Sequence, residues 1–241
     1  MTLKKTPEEH QIIPEIVNKY SDKIILTDKP LGITSADAVY IMKKFCKVRK
    51  AGHAGTLDPR ATGLLIICTD KMTKSINNFM SLEKDYEGTF RIGATTRTFD
   101  TESEEENIRD NIDISTDKIL KVRDKFMGET EQVPPIYSAI KQNGRPVYEK
   151  ARAGEEVKME PRKILITKFD VSLVSPTEIF FSLTCSKGTY IRSIADSFGK
   201  LLGTGAYLKS LRRTRIGDYS IDNFEDEIKG IRFKVLEQQP L

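Results

Sequence analysis

The sequence predicts an α+β domain built on a mixed, mostly antiparallel sheet that is flanked by helices and loops. Helical patterns and alternating strand patterns interleave along its 241 residues, and two of the strand patterns are separated by a short turn. We see no internal repeat in the sequence. A chain of this length is expected to form one domain, or one domain with a small appendage.

The first predicted helix covers residues 34–46, where Thr34 and Asp37 fit a capping box. Residues 51–63 contain three glycines and a proline, so we predict a loop that leads into the apolar run 64–68.

A second amphipathic helix is predicted from apolar residues at helical spacing: Met72, Ile76, Phe79 and Met80. Strict alternation from Tyr86 to Ile92 then predicts a strand. The acidic segment 100–113 is predicted to be an exposed loop. A helix beginning at Thr116 is expected to stop at Gly128.

Residues 129–161 show little periodicity, and loops of this length are usually functional or disordered. Alternating residues in 169–173 and 179–185 predict an antiparallel hairpin. The last predicted helix, 189–202, places these residues on one face: Ile191, Ile194, Phe198 and Leu201.

The composition and the missing motifs argue against several classes of protein. Uncharged apolar runs near ~20 residues are missing, and the first residues lack the apolar core of a signal peptide, so we expect a soluble cytoplasmic protein. Cys46, Cys68 and Cys185 lie far apart and are predicted to be buried free thiols. Two histidines are too few for a multi-histidine metal site, and P-loop and dinucleotide motifs are missing. We therefore expect no metal and no cofactor.

The charge balance is mild, with 39 basic against 35 acidic side chains and a net charge of +4, but the basic residues cluster. The clusters are Lys43, Lys44, Lys47, Arg49 and Lys50, and later Lys209, Arg212, Arg213 and Arg215. Charge alone supports a nucleic-acid partner and ordinary solvated surfaces equally well.

The loop Gly52–Gly63 concentrates groups capable of chemistry: His53, Asp58 and Arg60. Its glycines allow a ligand to approach closely, and Pro59 disfavours helical geometry at Asp58. On these residues alone, a simple Asp-Pro turn is the better explanation.

Several motifs that occur in a fixed order favour a functional loop over a simple turn. The segment Gly52–Leu65 resembles the catalytic motif of the TruB family of tRNA pseudouridine synthases. Other segments resemble further motifs of that family in the same order: Lys29–Ser35, Lys84–Tyr86, Gln132–Gly154, Ser186–Arg192 and Leu208–Arg213. Together they extend over about residues 23–220, which is more specific than one loop.

The resemblance implies that Asp58 is the catalytic aspartate and that the product is pseudouridine at uridine 55 of the tRNA T-loop. It implies an ionic network of Asp100 and Arg192 with that aspartate. Family positions that hold the flipped base match Tyr86, Tyr190 and Leu211. His53 matches the residue that helps displace the base from the stack.

Further residues are implied to bind the RNA: Lys29, Ser138, Lys141, Tyr148, Arg152 and Arg212. Residues 129–154 resemble the thumb insertion of the family, and we predict that this segment is more mobile in the free protein than on RNA. The resemblance implies tRNA as the partner, and we expect no membrane or protein partner and a monomer.

The chemistry agrees with these residue types. Cleavage of the bond to N1 builds positive charge at the ribose C1′, so a carboxylate is a natural nucleophile, stabiliser or base. A guanidinium such as that of Arg192 keeps a neighbouring carboxylate ionised. The residues leave open whether Asp58 attacks the ribose, attacks the base or removes a proton.

The expected organisation is an N-terminal extension (1–22), a catalytic domain (23–230) and a C-terminal tail (231–241). Longer family members continue into a PUA domain, which we do not expect here. The sequence departs from the family pattern at Asp70 and Ser103, where glycines are usual.

Alternatives remain at this point. The same fold could serve as a non-catalytic tRNA-binding module or chaperone. An N-glycosidase that releases uracil would also need Asp58. Relatives that work with a guide RNA are a weaker alternative, because they rely on a PUA domain.

Overall fold

The computed structural model describes residues 19–109, 112–138, 140–142, 144–153, 155, 157–222 and 224–236. Its strands are β1 (Ile24–Lys29), β2 (Ala51–His53), β3 (Ala61–Thr69), β4 (Lys84–Ile92), β5 (Thr95–Thr96), β6 (Glu105–Glu106), β7 (Gly128–Gln132), β8 (Lys141–Gln142), β9 (Arg145–Pro146), β10 (Arg162–Ser175), β11 (Glu178–Cys185), β12 (Ala206–Ile216), β13 (Tyr219–Ser220), β14 (Asp226–Ile228) and β15 (Ile231–Leu236). Its α-helices are α1 (Ser35–Cys46), α2 (Ile76–Ser81), α3 (Thr116–Asp124), α4 (Val147–Arg152) and α5 (Ile191–Leu202), and a 3-10 helix covers Asp70–Ser75.

The described residues form two compact units. The first runs up to Leu82 and resumes at Arg213, and the second is Glu83–Arg212. Strand β12 begins in the second unit and ends in the first. The strand ladders within each unit are antiparallel, and a parallel bridge joins Asp100 and Leu208. The predicted α+β class with a mixed, mostly antiparallel sheet is confirmed.

The first unit contains the ladder β14–β15–β1–β3, with β2 added on β3. Thr27 of β1 pairs with Phe233 on one side and Leu65 on the other. Strand β3 is buried on both faces, as its continuous apolar run requires. One face packs a core that includes Leu26, Ile66 and Phe79.

Helix α1 begins where the sequence predicts. The side chain of Thr34 accepts a hydrogen bond from the backbone N–H of Asp37, and the carboxylate of Asp37 accepts one from the backbone N–H of Thr34. The helix ends at Lys47, which adopts the left-handed conformation. Its buried residues Ala38, Met42 and Cys46 lie at helical spacing, so the helix packs through one face.

The second unit contains the ladder β4–β11–β10–β7. The predicted hairpin is confirmed, with Val171 paired to Phe181 and Phe169 paired to Leu183. Aromatic rings from the sheet, from α5 and from the turn after α3 form its core: Phe90, Phe126, Phe169, Phe181 and Phe198. This core fixes β4 and α5, which carry predicted site residues.

Several predicted elements differ in extent. Residues 51–63 were predicted to form one loop, but residues 51–53 form β2 and residues 61–63 begin β3. The two strands pair, with His53 opposite Ile67. Helix α3 ends at Asp124 rather than Gly128. Residues 125–127 continue as a turn, in which backbone N–H groups donate to carbonyls three residues earlier.

Two predicted helix faces were wrong at their last residue. Leu201 is 46% exposed and Leu202 is buried in its place, because the buried face of α5 continues at i+4 from Phe198. Met80 is 44% exposed, and the predicted single helix is a 3-10 turn followed by α2. The change from three to 3.6 residues per turn rotates the buried face.

The segment 129–161 is less irregular than predicted, since it includes most of β7, the short strands β8 and β9, and α4. Residues 231–236, placed in a C-terminal tail by the sequence, form β15 and pair with β1. The side chain of Tyr20, from the predicted N-terminal extension, contacts the rings of Phe45 and Phe233. Residues 1–18 and 237–241 lie outside the described residues.

The three cysteines are buried free thiols, as predicted. Burial raises the pKa of the Cys46 and Cys68 thiols to about 12. Among the described residues, none of the helices combines the length and the apolar character needed to cross a lipid bilayer.

Candidate active site

The loop that carries Asp58 joins β2 to β3 and is held by backbone contacts. Ser35, the first residue of α1, accepts a hydrogen bond from the Leu57 N–H (2.8 Å) and donates one to the Leu57 carbonyl (3.0 Å). The Gly32 N–H donates to the Pro59 carbonyl at 2.9 Å. Asp58 is therefore a half-buried carboxylate on a loop whose neighbouring peptides are fixed.

Two buried cations lie close to this loop. The Lys29 ammonium is fully buried and donates to the carbonyls of Pro30 (2.9 Å) and Ile33 (2.8 Å). Arg213 is 1% exposed, and its guanidinium donates to the carbonyls of Leu64 (2.7 Å) and Gly55 (3.1 Å). The Arg213 contacts connect the loop to β3 and β12.

Lys29 was predicted to bind RNA. Its ammonium is enclosed by backbone carbonyls, so that contact would require local movement. Burial lowers the pKa of Lys29 to about 8, although the charge of Asp58 opposes that shift. Arg213 is likewise unavailable for the phosphate contacts suggested by its basic cluster.

His53 ends β2 and is half-buried. Burial, together with the charge of Arg213, holds the pKa of its imidazole below the ordinary value. The ring is therefore mainly neutral at pH 7.

The second unit holds a buried ion pair between Asp100 and Arg192. The Arg192 Nε lies 3.5 Å from Asp100 Oδ2, and the two side chains are only 6% and 4% exposed. Asp100 Oδ1 accepts hydrogen bonds from the Thr98 hydroxyl (2.6 Å) and the Glu102 N–H (2.9 Å). The Arg192 guanidinium also donates to the carbonyls of Thr98 (3.2 Å) and Tyr137 (2.9 Å).

The structure thus brings together the predicted Asp100 and Arg192, although the acidic segment 100–113 was predicted to be exposed. Asp100 is 3% exposed while the acidic residues that follow it face solvent. Sequence reasoning did not identify Thr98 or Tyr137, since a backbone carbonyl leaves no residue-type signal.

Two predicted tyrosines lie on regular elements of the second unit. Tyr86 is 9% exposed on β4 and shares a face with the buried Phe90 and Ile92. Tyr190 is the N-cap residue of α5. Leu211 and Arg212 are half-buried on β12.

The predicted thumb residues are placed unevenly. Ser138 is only 4% exposed, so contact with RNA through its hydroxyl would require local movement. Lys141 begins β8, and Tyr148 and Arg152 lie in α4, for which the backbone placement alone is described. None of these positions tests the predicted RNA contacts.

The two departures from the family pattern have local explanations. Asp70 adopts φ of 43°, the left-handed region that favours glycine. Its carboxylate accepts hydrogen bonds from the backbone N–H groups of Arg49 and Lys50 and from the Ser21 hydroxyl. The Ser103 hydroxyl bonds to Thr98, next to the Asp100 side chain.

A cavity of about 600 Å³ lies elsewhere in the second unit. Its walls include Phe99, Phe126, Pro134 and Leu201, and none of the predicted site residues. Volume alone would therefore have pointed away from the Asp100 and Arg192 pair.

The sequence of this chain also matches a protein-family model of pseudouridylate synthases. The matching model is described as "TruB family pseudouridylate synthase (N terminal domain)" and aligns with residues 43–191. The chain therefore belongs to the TruB family of pseudouridylate synthases.

Individual relatives agree with this assignment. A tRNA pseudouridine synthase B from Flavobacterium johnsoniae is 45% identical over 228 residues, which cover 92% of this chain and 96% of that protein. One from Burkholderia mallei is 40% identical over 212 residues, covering 87% of this chain and 67% of that protein. In a crystal structure of a Cbf5–Nop10–Gar1 complex, a chain with 29% identity superposes with a TM-score of 0.66, covering 90% of this chain and 55% of that chain.

Proposed function

We propose that this protein converts uridine to pseudouridine at position 55 in the T-loop of tRNA. The observation that carries the proposal is the placement of Asp58, a half-buried carboxylate on a loop fixed by Ser35 and Gly32. The family assignment and the relatives named tRNA pseudouridine synthase B support the same reaction.

The reaction breaks the bond between N1 and the ribose C1′, turns the free uracil and joins C5 to C1′. C5 gives up its proton and N1 takes one, so the atoms balance without an oxidant or an energy donor. Asp58 is the group that meets the positive charge developing at C1′, as carboxylates do in glycoside hydrolysis. The fixed peptides around it limit reorganisation during the reaction.

Arg192 is proposed to keep the Asp58 carboxylate ionised and oriented. Its guanidinium is held by Asp100 and by the carbonyls of Thr98 and Tyr137, so its direction is set before substrate arrives. Asp100 therefore acts on Arg192, and its own role is positioning.

Tyr86, Tyr190 and Leu211 are proposed to hold the flipped uracil, and His53 to occupy the space that it leaves. Aromatic and apolar groups suit this task because a base offers flat faces for stacking. They also keep water from the separated uracil and ribose, which would otherwise yield hydrolysis products.

The RNA backbone is proposed to contact the exposed basic face of α1 and the residues that follow it: Lys43, Lys44, Lys47, Arg49 and Lys50. Their side chains form no ion pair within the described part of the chain, and the Lys44 ammonium lies 4.6 Å from the ring centroid of the exposed Tyr40. Thumb contacts through Ser138, Lys141, Tyr148 and Arg152, and a contact through Arg212, complete the proposed RNA surface.

The experiment uses an unmodified tRNA transcript and maps pseudouridine by carbodiimide modification and primer extension. A stop specific to position 55 is expected after treatment with the protein, and none in a transcript with cytidine at that position. Free uracil in the supernatant would instead identify a glycosidase. RNA binding without a stop or released base would identify a non-catalytic RNA-binding module.

The protein is further proposed to act as a monomer in the cytoplasm, without a metal, a cofactor or a protein partner. Sedimentation equilibrium at micromolar concentration tests the oligomeric state. A mass of twice the 27.3 kDa chain would contradict the monomer.

A further inference from the structure

Tyr190 is held by two residues that the family resemblance did not single out for a role. The Gln132 carboxamide donates to the Tyr190 carbonyl at 3.0 Å and accepts from the Tyr190 N–H at 2.8 Å. Gln132 is 7% exposed, so these bonds are shielded from water. They fix the backbone from which the Tyr190 ring projects.

The ring itself is covered by Arg162. The central guanidinium carbon of Arg162 lies over the Tyr190 ring, 4.5 Å from its centroid. This distance is within the range of a cation–π contact. Arg162 is the first residue of β10 and pairs with Gln132 of β7 in the ladder, so one strand pair delivers both groups to Tyr190.

The space around the guanidinium is shaped for it. A Cβ atom on Gly188 would lie 3.5 Å from Arg162 Nη1, so the backbone of the turn before α5 passes directly beside the cation. Gly188 also has φ of +79°, where side chains are disfavoured. The turn therefore brings Tyr190 and Arg162 together at close range.

Ordinary ion pairing does not account for this placement. Arg162 forms no ion pair within the described part of the chain, and its Nε and Nη2 are buried there without a hydrogen-bond partner. A cation buried in this way carries a desolvation cost. Its guanidinium does lie over the Tyr190 ring.

We infer that Arg162 is a positioning residue for Tyr190. It covers one face of the ring and sets the ring angle, which leaves the other face for the uracil, and Gln132 fixes the backbone beneath. This inference rests on the proposed function, in which Tyr190 contacts the flipped base. Arg162 itself need not touch the RNA.

The test compares Arg162→Ala and Arg162→Lys with wild type in steady-state pseudouridine formation on a tRNA transcript. Arg162→Ala is expected to lower kcat about 10-fold with KM within about twofold, because a misplaced group affects the reacting complex more than binding. Arg162→Lys is expected to recover part of kcat, since an ammonium also attracts the ring face. Lys163→Ala removes an equal charge from the neighbouring exposed position and is expected to match wild type.

A double-mutant comparison separates positioning from a direct RNA contact. If Arg162 acts through Tyr190, Arg162→Ala has no further effect in a Tyr190→Leu background. A raised KM with unchanged kcat, and a shallower salt dependence of binding, would instead show a phosphate contact and overturn the inference. Wild-type kinetics for Arg162→Ala would overturn it as well.

A spectroscopic measurement tests the contact without relying on activity. In the free wild-type protein, the Arg162 Nε–H proton resonance is expected to be shifted upfield by the ring, and this shift should vanish in Tyr190→Leu. An unshifted resonance would overturn the inference. If wild type makes no pseudouridine, the proposed function fails, while this spectrum still decides whether Arg162 covers Tyr190.

Discussion

Arg192 and Asp100 form an ion pair of 3.5 Å in which both side chains are almost completely buried. Burying two charges costs several kcal/mol, which the pair offsets only when the remaining donors and acceptors are also satisfied. Thr98 contributes to both residues, through its hydroxyl to Asp100 and its carbonyl to Arg192. Burial of this ion pair therefore lowers the stability of the fold, and it holds the Arg192 guanidinium in the fixed position that the proposed reaction needs.

Asp100→Asn is expected to destabilise the protein by about 3 kcal/mol, because it leaves the Arg192 guanidinium buried without its counter-charge. Urea denaturation measures the change. Lys71→Ala, which breaks the exposed pair with Asp22, is the control and should cost under about 1 kcal/mol. Equal losses of stability in the two variants would show that the buried ion pair contributes no more to stability than the exposed pair.

The buried Lys29 ammonium is expected to make the free energy of unfolding depend on pH. Burial lowers its pKa in the folded protein to about 8, whereas the unfolded chain holds the proton up to about 10.5. Between these values the unfolded state binds more protons, so the free energy of unfolding should rise with pH, by up to about 3 kcal/mol. Below pH 8 this contribution is constant.

Denaturation at a series of pH values, with Lys29→Met as the reference, isolates that contribution. The difference between wild type and the variant should grow in favour of wild type from pH 8 to 10.5. A difference that stays flat, or falls, over this window would contradict the buried position of the ammonium.

Gly63→Ala should be among the most damaging substitutions near the Asp58 loop. At φ of +102°, the added Cβ would lie 2.2 Å from the Arg213 carbonyl oxygen. We expect a loss of about 4 kcal/mol or more in a thermal or urea unfolding measurement. Gly203→Ala shares the left-handed backbone but meets nothing within 4 Å, and should lose about 1 kcal/mol. Similar losses at both positions would rule out the clash.

The basic face of α1 predicts a salt-dependent contribution to RNA binding. Changing Lys43 and Lys47 to glutamate together should weaken tRNA binding at least about 10-fold and reduce the dependence of log affinity on log salt by about 2. Filter binding across salt concentrations measures both. Lys118 and Lys121 changed in the same way on the exposed side of α3 form the control. Parallel salt curves for wild type and the α1 variant would count against this surface.

Local patterns predicted much of the fold because they are set by neighbouring residues. The capping box of Thr34 and Asp37 involves a spacing of three residues, and the hairpin register of Val171 with Phe181 follows from alternation and a short turn. Strand β15 was missed although Ile231, Phe233 and Val235 alternate. Its position after a charged segment concealed that signal.

The resemblance identified Asp100 and Arg192, which the structure brings together, but the sequence did not reveal how deeply they are buried. The resemblance identified Asp100, while its acidic neighbours suggested an exposed loop. The resemblance implied that Lys29 binds RNA, and the carbonyls that enclose it come from a turn whose path the residue types do not reveal. Arg162 left no motif signal, since its contact with Tyr190 depends on the pairing of β10 with β7.

Asp58 is proposed to take part in breaking and re-forming the glycosidic bond of a tRNA uridine. The most direct measurement incubates wild type and Asp58→Asn with a tRNA transcript tritiated at uridine C5, and follows release of tritium into water. C5 loses its hydrogen when it becomes the glycosidic carbon, so wild type should release tritium and the variant should not, while both bind the RNA. Release by neither protein, or by both, would contradict this role of Asp58.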